Sequence, residues 1–408
     1  MSSTGDYPRM IDPDLAVQLV LDVVGGPEAE VLALEEAVGR VLAQDARADR
    51  DYPPFRRAMM DGFAVCSSDA GQTVEVIGEL AAGDPPRFEV TPGRCVAILT
   101  GAACPPGADA VVPLENVVRE ANRVRLPSVV PGGAHVAAMG SECPAGTVLF
   151  QPGQVITPLV VAVLATWGLT QVRVWRLPRL QIVSTGSELI PCHQTPSPWQ
   201  IRNSNGPMLA AMAQKMGLAR PAVRHVPDCL DAIVQALDEA HEADFVLLSG
   251  GVSAGTYDLV PKAVAAWGGR IVFHKVSQKP GKPLLVAVRG RQVVFGLPGN
   301  PLACHLGFDR YVGPAIRQRL GRPPLAQPCA GILASPVRWK GGRTFFLLAR
   351  AQAADSASAP WSVEPLSGIS SADLFTPSRA NCYIRLPPGQ GELAPGTRIP
   401  FTWIGTLE

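Results

Sequence analysis

Apolar and polar residues alternate along this chain in three rhythms, and each predicts a different architecture. Near the start, Leu15, Leu19 and Val23 recur at helical spacing behind Asp12-Pro13, a carboxylate cap with proline at the first helical position. The same spacing predicts a second amphipathic helix over 34–42. From Ala46 the rhythm shortens to strand-like runs broken by Gly and Pro, at 74–77, 96–99, 110–112 and 124–126, which predicts a compact β-rich insert over 47–139. Gly140 to Gly146 marks the return, and 157–167 reads as a helix with Pro158 in its first turn.

After Pro178 the third rhythm begins: strand, small-residue loop, helix, repeated. Strands are predicted at 180–184, 222–226, 245–248 and 293–295, and helices over 206–216, from Asp228 to Ala240, from Asp258, and from about Leu302. Alternation of this kind predicts a mostly parallel sheet with right-handed crossovers and helices on both faces. Beyond a Pro-rich linker at 322–328, short strands at 330–333, 345–348, 383–386 and 399–403 predict a small barrel or sandwich, with 351–360 as a loose hairpin tip. The fold class expected is a multidomain α/β chain: a central three-layer α/β/α domain, a β-rich insert, an elongated helical or linker domain and a small C-terminal β-barrel.

Chemistry concentrates where these strands end. Phe245 to Leu248 is an unbroken apolar run, the pattern of a strand buried on both faces, and Gly250 and Gly251 stop it. With Ser249 and Ser253 those glycines form a loop whose N–H groups can face a ligand, and Asp258 opens the helix behind it, an anion site in outline. Lys275, Lys279 and Lys282 follow in a Pro/Gly-stiffened segment that suits phosphates. Pro298, Gly299, Asn300 and Pro301 form a second tight loop between a strand and a helix. Singly, these features read as a turn, a solvated face and a rigid loop; together, at the carboxyl ends of parallel strands, they predict a ligand site.

Carboxylates accumulate there too. Glu188, Asp228 and Asp258 belong to the α/β part, and Asp61 and Glu142 come from or border the insert. Beside lysines and phosphates they make sense if Mg²⁺ bridges them, while Asp228 and Asp258 also read as helix caps. Asp61-Gly62 reads either as a turn or as a presented carboxylate, and Thr100-Gly101 at a strand end either as a cap or as a site hydroxyl. The six histidines show no motif, no G-x-S-x-G elbow accompanies the serines, and no G-x-G-x-x-G follows a strand.

Composition narrows the function class. With 408 residues and 47% hydrophobic content, two to four domains are expected. A net charge of +1 argues against a general nucleic-acid binder. Nine scattered cysteines without a CxxC read as reduced thiols in a cytoplasmic setting, and the adjacent pairs Cys192-His193 and Cys304-His305 are weak metal-ligand signals. The first residues show no basic segment followed by an apolar core, and the apolar stretch 155–169 is interrupted by Pro158, Thr166 and Gly168, so neither a secretory signal nor a membrane span is expected.

Seven segments in order, PPFRRAMMDGFAV, LTGAACPPGADAVV, STGSEL, IRNSNGPML, SGGVSAGTYD, KPGKP and GLPGNP, resemble the MoeA family of molybdenum insertases, related to the E domain of gephyrin. The resemblance covers nearly the whole chain. It implies a homodimer of four-domain subunits: an elongated, discontinuous dimerisation domain (1–46 and 140–176), a β-rich domain (47–139), an α/β pterin-binding domain (177–326) and a C-terminal β domain (327–408). It implies Mg²⁺-dependent transfer of molybdenum from molybdate into adenylylated molybdopterin, with release of AMP. Molybdopterin adenylyltransferase and maturation proteins of molybdenum enzymes are the expected partners, with neither nucleic acid nor membrane. By position it assigns function to Asp61, Thr100, Glu188, Asp228, Asp258, Lys275, Lys279, Pro298 and Pro301, and to Ser371 in the last domain.

The chain also departs from that pattern. Arg56-Arg57-Ala58-Met59 stands where Asp-Asn-Ser precedes Ala-Met-Asp-Gly, Gly140-Ser141-Glu142 replaces Gly-Glu-Asp, Val136 to Met139 replaces an arginine-rich run, and Leu347 and Leu348 fall where an arginine is expected. These departures leave open a second reading, a non-catalytic dimeric scaffold that binds molybdopterin, and whether Arg56 and Arg57 compensate. A nucleotide hydrolase using the same phosphate loops is a third.

Overall fold

The computed structural model describes residues 8–251, 259–354, 361–366 and 373–405. The chain divides into two compact units: one comprises the chain up to Glu30 and from Val174 onward, the other Val31–Arg173.

The first unit is built on a seven-stranded sheet, in the order Arg9–Ile11, Arg270–Val276, Leu285–Arg289, Gln292–Leu297, Phe245–Ser249, Leu180–Thr185 and Ala222–Val226. Leu180–Thr185 pairs in parallel with both of its neighbours, and Phe245–Ser249 is parallel to Gln292–Leu297. Leu285–Arg289 runs antiparallel to both of its neighbours, Arg270–Val276 and Gln292–Leu297. Strand residues alternate between faces, so both faces must be covered. Phe245, Leu247 and Phe295 pack with Leu209, Phe308, Tyr311 and Ile316 on one side. Val246, Leu248 and Val294 pack with Ile233, Leu237, Val260 and Val264 on the other. The expected three-layer α/β/α arrangement is therefore present, and each fully buried large side chain contributes on the order of 2–3 kcal/mol.

Asp12 caps the helix Pro13–Val24 by accepting the Asp14 N–H. Its buried stripe of Ala16, Val17, Val20 and Val24 joins the first of these cores. The helix expected over 34–42 is absent. Only Leu34–Glu36 forms a short 3₁₀ turn, Gly39 takes φ +81°, and Val41 bridges to Val155 in an extended pairing. The backbone there finds its partners across strands, which overrides the helical spacing.

At the C-terminal end, Thr344–Ala353, Trp361–Pro365, Cys329–Leu333, Arg398–Trp403 and Cys382–Leu386 pair in sequence, and the last pairs back with the first. Closure of this ring leaves no edge within it and makes the expected small barrel. Strand Gln278–Lys279 adds to the outside of Thr344–Ala353, tying the barrel to the α/β sheet.

In the second unit a six-stranded sheet runs Ala110–Pro113, Gly62–Val65, Arg94–Ile98, Thr73–Leu80, Arg123–Arg125 and Val118–Glu120. Its apolar alternation fills two cores, one with Phe63, Val65, Val74 and Val112, the other with Ala64, Leu80, Val96 and Ile98. The helix expected over 157–167 is Pro158–Thr166, where Thr157 accepts the Val160 N–H. Among the described residues, no helix is long and apolar enough to cross a membrane.

Candidate functional site

A cleft of about 1020 Å³ opens in the first unit where the carboxyl ends of the central strands meet the barrel. Its floor is made by loops that side chains would block. Gly250 has φ +104°, and a Cβ there would lie 2.4 Å from the Thr185 carbonyl oxygen. Gly250 also donates its N–H to the Leu297 carbonyl, and a Cβ on Gly299 would lie 3.8 Å from Gly250 Cα. The two small-residue loops therefore abut, and a bulky ligand can reach their backbone.

Asn205 locks the loops together. Its Nδ2 donates to Ser249 Oγ at 2.9 Å and to the Gly299 carbonyl at 2.7 Å. Ser249 also touches Cys304 Sγ at 3.8 Å, and burial pushes that thiol up to about 12, so it packs as an inert apolar group. Burial pulls the neighbouring His305 down from its usual range. No three His, Cys, Asp or Glu side chains gather into a metal-holding group among the described residues, so the adjacent Cys-His pairs gain no support as ligands.

Among the described residues, two carboxylates line this cleft, Glu188 and Asp228. Asp228 does not cap the following helix. Cys229 holds that position without a side-chain bond, and Asp228 Oδ2 accepts the Ser187 N–H at 3.3 Å. His225 Nε2 lies 2.9 Å from the Gly186 carbonyl, so the loop carrying Glu188 is held from the neighbouring strand at two points. Carboxylate oxygens are donors that suit a hard cation, which takes its remaining ligands from water and phosphate. A third carboxylate is not required of such a site.

Of the three lysines, Lys279 and Lys282 line the cleft, and Lys279 Nζ lies 5.0 Å from the centre of the Phe345 ring. Lys275 does not line it. It lies in strand Arg270–Val276 with φ +72°, its N–H donated to the Leu284 carbonyl. Pro298, Gly299, Asn300 and Pro301 line the cleft as well. Ser253, Asp258 and Ser371 lie outside the described residues.

The barrel contributes Arg343 and an apolar stretch from Phe345 to Leu348, joined by Leu366 and Leu374. Of these, the sequence singles out only Leu347 and Leu348, as the place where the family pattern expects an arginine. Asn205 was visible only as part of IRNSNGPML, because its partners are 44 and 94 residues away.

Asp61 and Thr100 meet in the second unit. Asp61 Oδ1 accepts both the Thr100 hydroxyl and the Thr100 N–H, each at 2.6 Å. The hydroxyl first, then the N–H, hold this exposed carboxyl below its usual range. Gly62 opens a strand rather than a hairpin turn, so Asp61 stands at a strand start. Glu142 accepts a hydrogen bond from Arg57 at 2.7 Å, and Arg56 donates to the Ala108 carbonyl. Val136 and Ala137 pair directly with Ala58 and Arg57, so two of the departures from the family pattern face each other across one strand pair.

Three family models match the chain: the MoeA N-terminal region (domains I and II) over residues 11–168, a probable molybdopterin binding domain over 181–318, and the MoeA C-terminal region (domain IV) over 330–403. A molybdopterin molybdenumtransferase of Staphylococcus aureus (strain Mu50) is 34% identical over 383 residues, 92% of this chain and 91% of the relative. One from Staphylococcus epidermidis (strain RP62A) is 36% identical over 296 residues, 71% of each chain. A crystal structure of a molybdopterin biosynthesis MoeA protein from Pyrococcus horikosii superposes with a TM-score of 0.85 at 27% identity, covering 97% of this chain and 99% of that one.

Proposed function

The chain belongs to the MoeA family, and on that premise we propose that it is a molybdopterin molybdenumtransferase, inserting molybdenum from molybdate into adenylylated molybdopterin and releasing AMP. One observation carries the reading for this chain: a single cleft is lined by glycine loops, Lys279 and Lys282, and two carboxylates.

In this reading the backbone of Ser249, Gly250 and Gly251 and the ammonium groups of Lys279 and Lys282 bind the substrate's phosphates. The loop Pro298 to Pro301 walls the site, with Asn205 holding it against Ser249. Glu188 and Asp228 would hold Mg²⁺, whose charge would neutralise the phosphate oxygens. Asp61 and Thr100 act as a pair, Thr100 keeping Asp61 ionised to orient a reacting group. Asp258, Ser253, Lys275 and Ser371 enter on the family resemblance. So do the homodimer, the four-domain division, the cytoplasmic setting, and the adenylyltransferase and maturation partners.

Purified protein with Mg²⁺, molybdate and adenylylated molybdopterin is expected to release AMP, and chelation of divalent cations to stop it. Lys279→Ala is expected to slow release by roughly a hundredfold while thermal melting stays cooperative, the scale of losing one charge contact in a preorganised site. Release at the original rate in Lys279→Ala would overturn the assignment of the lysines.

A further inference from the structure

Neither Tyr311 nor Gln278 lines the cleft, yet both are fully buried beside the segment that carries its lysines. Resting on the reading of Lys279 and Lys282 given above, we propose that Tyr311 and Gln278 form a positioning pair that holds both ammonium groups ready for the substrate's phosphates.

Each polar atom of the Gln278 side chain is used. Its Oε1 accepts the Tyr311 hydroxyl at 2.5 Å, and its Nε2 donates to the Gly281 carbonyl at 3.3 Å. The main chain is fixed as well: Gln278 and Lys279 pair with Thr344 and Phe345, and the Gln278 carbonyl accepts from Arg343 at 3.2 Å. The side chain thus spans its own turn, from Gln278 to Gly281, with Lys279 inside that turn and Lys282 just beyond it. Gly281 has φ +85°, and a Cβ there would come within 3.0 Å of Gln278 Nε2, so the turn is closed tightly around the amide.

Tyr311 reaches this amide from a five-residue π turn, Phe308–Val312, set between helices Pro301–Gly307 and Gly313–Arg319. The first of these helices starts at Pro301, on the cleft. A π turn inserted in a helix is frequently a functional device, because it changes which side chain faces a given neighbour. Burial raises the Tyr311 phenol far above its usual range, so it remains a donor throughout the working pH range. Lysine side chains carry large rotamer freedom, and a binding site loses affinity if its turn must be ordered at each encounter. The buried amide ties down that turn before the substrate arrives.

The test measures binding of adenylylated molybdopterin without molybdate, so that no turnover occurs. Tyr311→Phe is expected to weaken binding roughly tenfold, the consequence of removing a buried hydroxyl that bonds Gln278 and also meets Arg310. Binding should also become less sensitive to added salt, as fewer ordered charges meet the phosphates. In a Lys279→Ala/Lys282→Ala background the same substitution should add nothing, because its effect passes through those lysines. Should Tyr311→Phe fail to fold, Gln278→Met, which keeps the volume and loses both side-chain bonds, carries the same expectations. An unchanged dissociation constant, or an equal loss with and without the lysines, overturns the proposal. If the double-lysine variant itself binds like the unsubstituted protein, the lysine reading fails first and the pair has nothing to position.

Discussion

At the scale of single residues, Asp61 and Thr100 show how far local patterns carry. Both stood out in the sequence as a carboxylate beside glycine and a hydroxyl at a strand end, and each had a plain alternative as turn or cap. Their mutual bond settles their geometry, since Thr100 donates twice to one oxygen of Asp61. The bond favours the ionised carboxyl, so Thr100→Val is expected to raise the Asp61 pKa toward the ordinary carboxylate range, readable by NMR titration of its side-chain carboxyl. The sign follows from a native pKa lower than the unfolded one: the interaction stabilises the protein above the ordinary carboxylate pKa and is lost as pH falls through the native value. Residues whose partners are distant were illegible. The carbonyl of Gln278 meets Arg343 across 65 residues, and nothing near Gln278 marks it as more than a polar residue in a loop.

At the scale of elements, the strand-loop-helix alternation was legible because buried strands and amphipathic helices have different periods, and the glycines that end the strands mark the cleft floor. The failed helix over 34–42 shows the limit, because helical spacing survived there while the backbone bonded to residues near 154–156. Glycine positions separate close approach from backbone shape. Gly62 has ordinary φ, yet a Cβ there would lie 2.1 Å from the Val112 carbonyl oxygen, backbone that cannot yield without opening the strand pair. Gly39, at φ +81°, has nothing within 4 Å. Gly62→Ala is therefore expected to destabilise the protein by about 3 kcal/mol or more, the overpacking range, and Gly39→Ala by only about 1 kcal/mol. Urea unfolding of the two variants side by side checks the order; equal losses would mean that the strand pair relaxes freely.

At the scale of the whole molecule, the chain leaves the first unit after Glu30 and returns at Val174, and that unit grips both ends of the excursion. Glu28 and Arg176 flank the two crossings, and Arg176 Nε lies 3.4 Å from Glu28. Asp244, just before strand Phe245–Ser249, receives Arg176 at 2.7 Å, Arg319 at 3.1 Å and the Arg179 N–H at 2.7 Å. Burial alone would push the Asp244 carboxyl up, but the bonds from Arg176 and Arg179, with the charge of Arg319, outweigh it and hold the group below its usual range. Removing this one carboxylate leaves Arg319, itself only 5% exposed, with Glu28 at 3.2 Å as its remaining counter-charge. Asp244→Asn is expected to cost about 3 kcal/mol, the scale for breaking a buried pair from one side. Glu28→Gln, at a residue one-third exposed, should cost less than about 1 kcal/mol. Asp244 stabilises above the ordinary carboxylate pKa, and that contribution fades as pH falls through its lower native value. The melting temperature of Asp244→Asn should therefore lie well below that of the unsubstituted protein at neutral pH and converge on it in acid. A constant gap across that range would assign the loss to packing instead of charge.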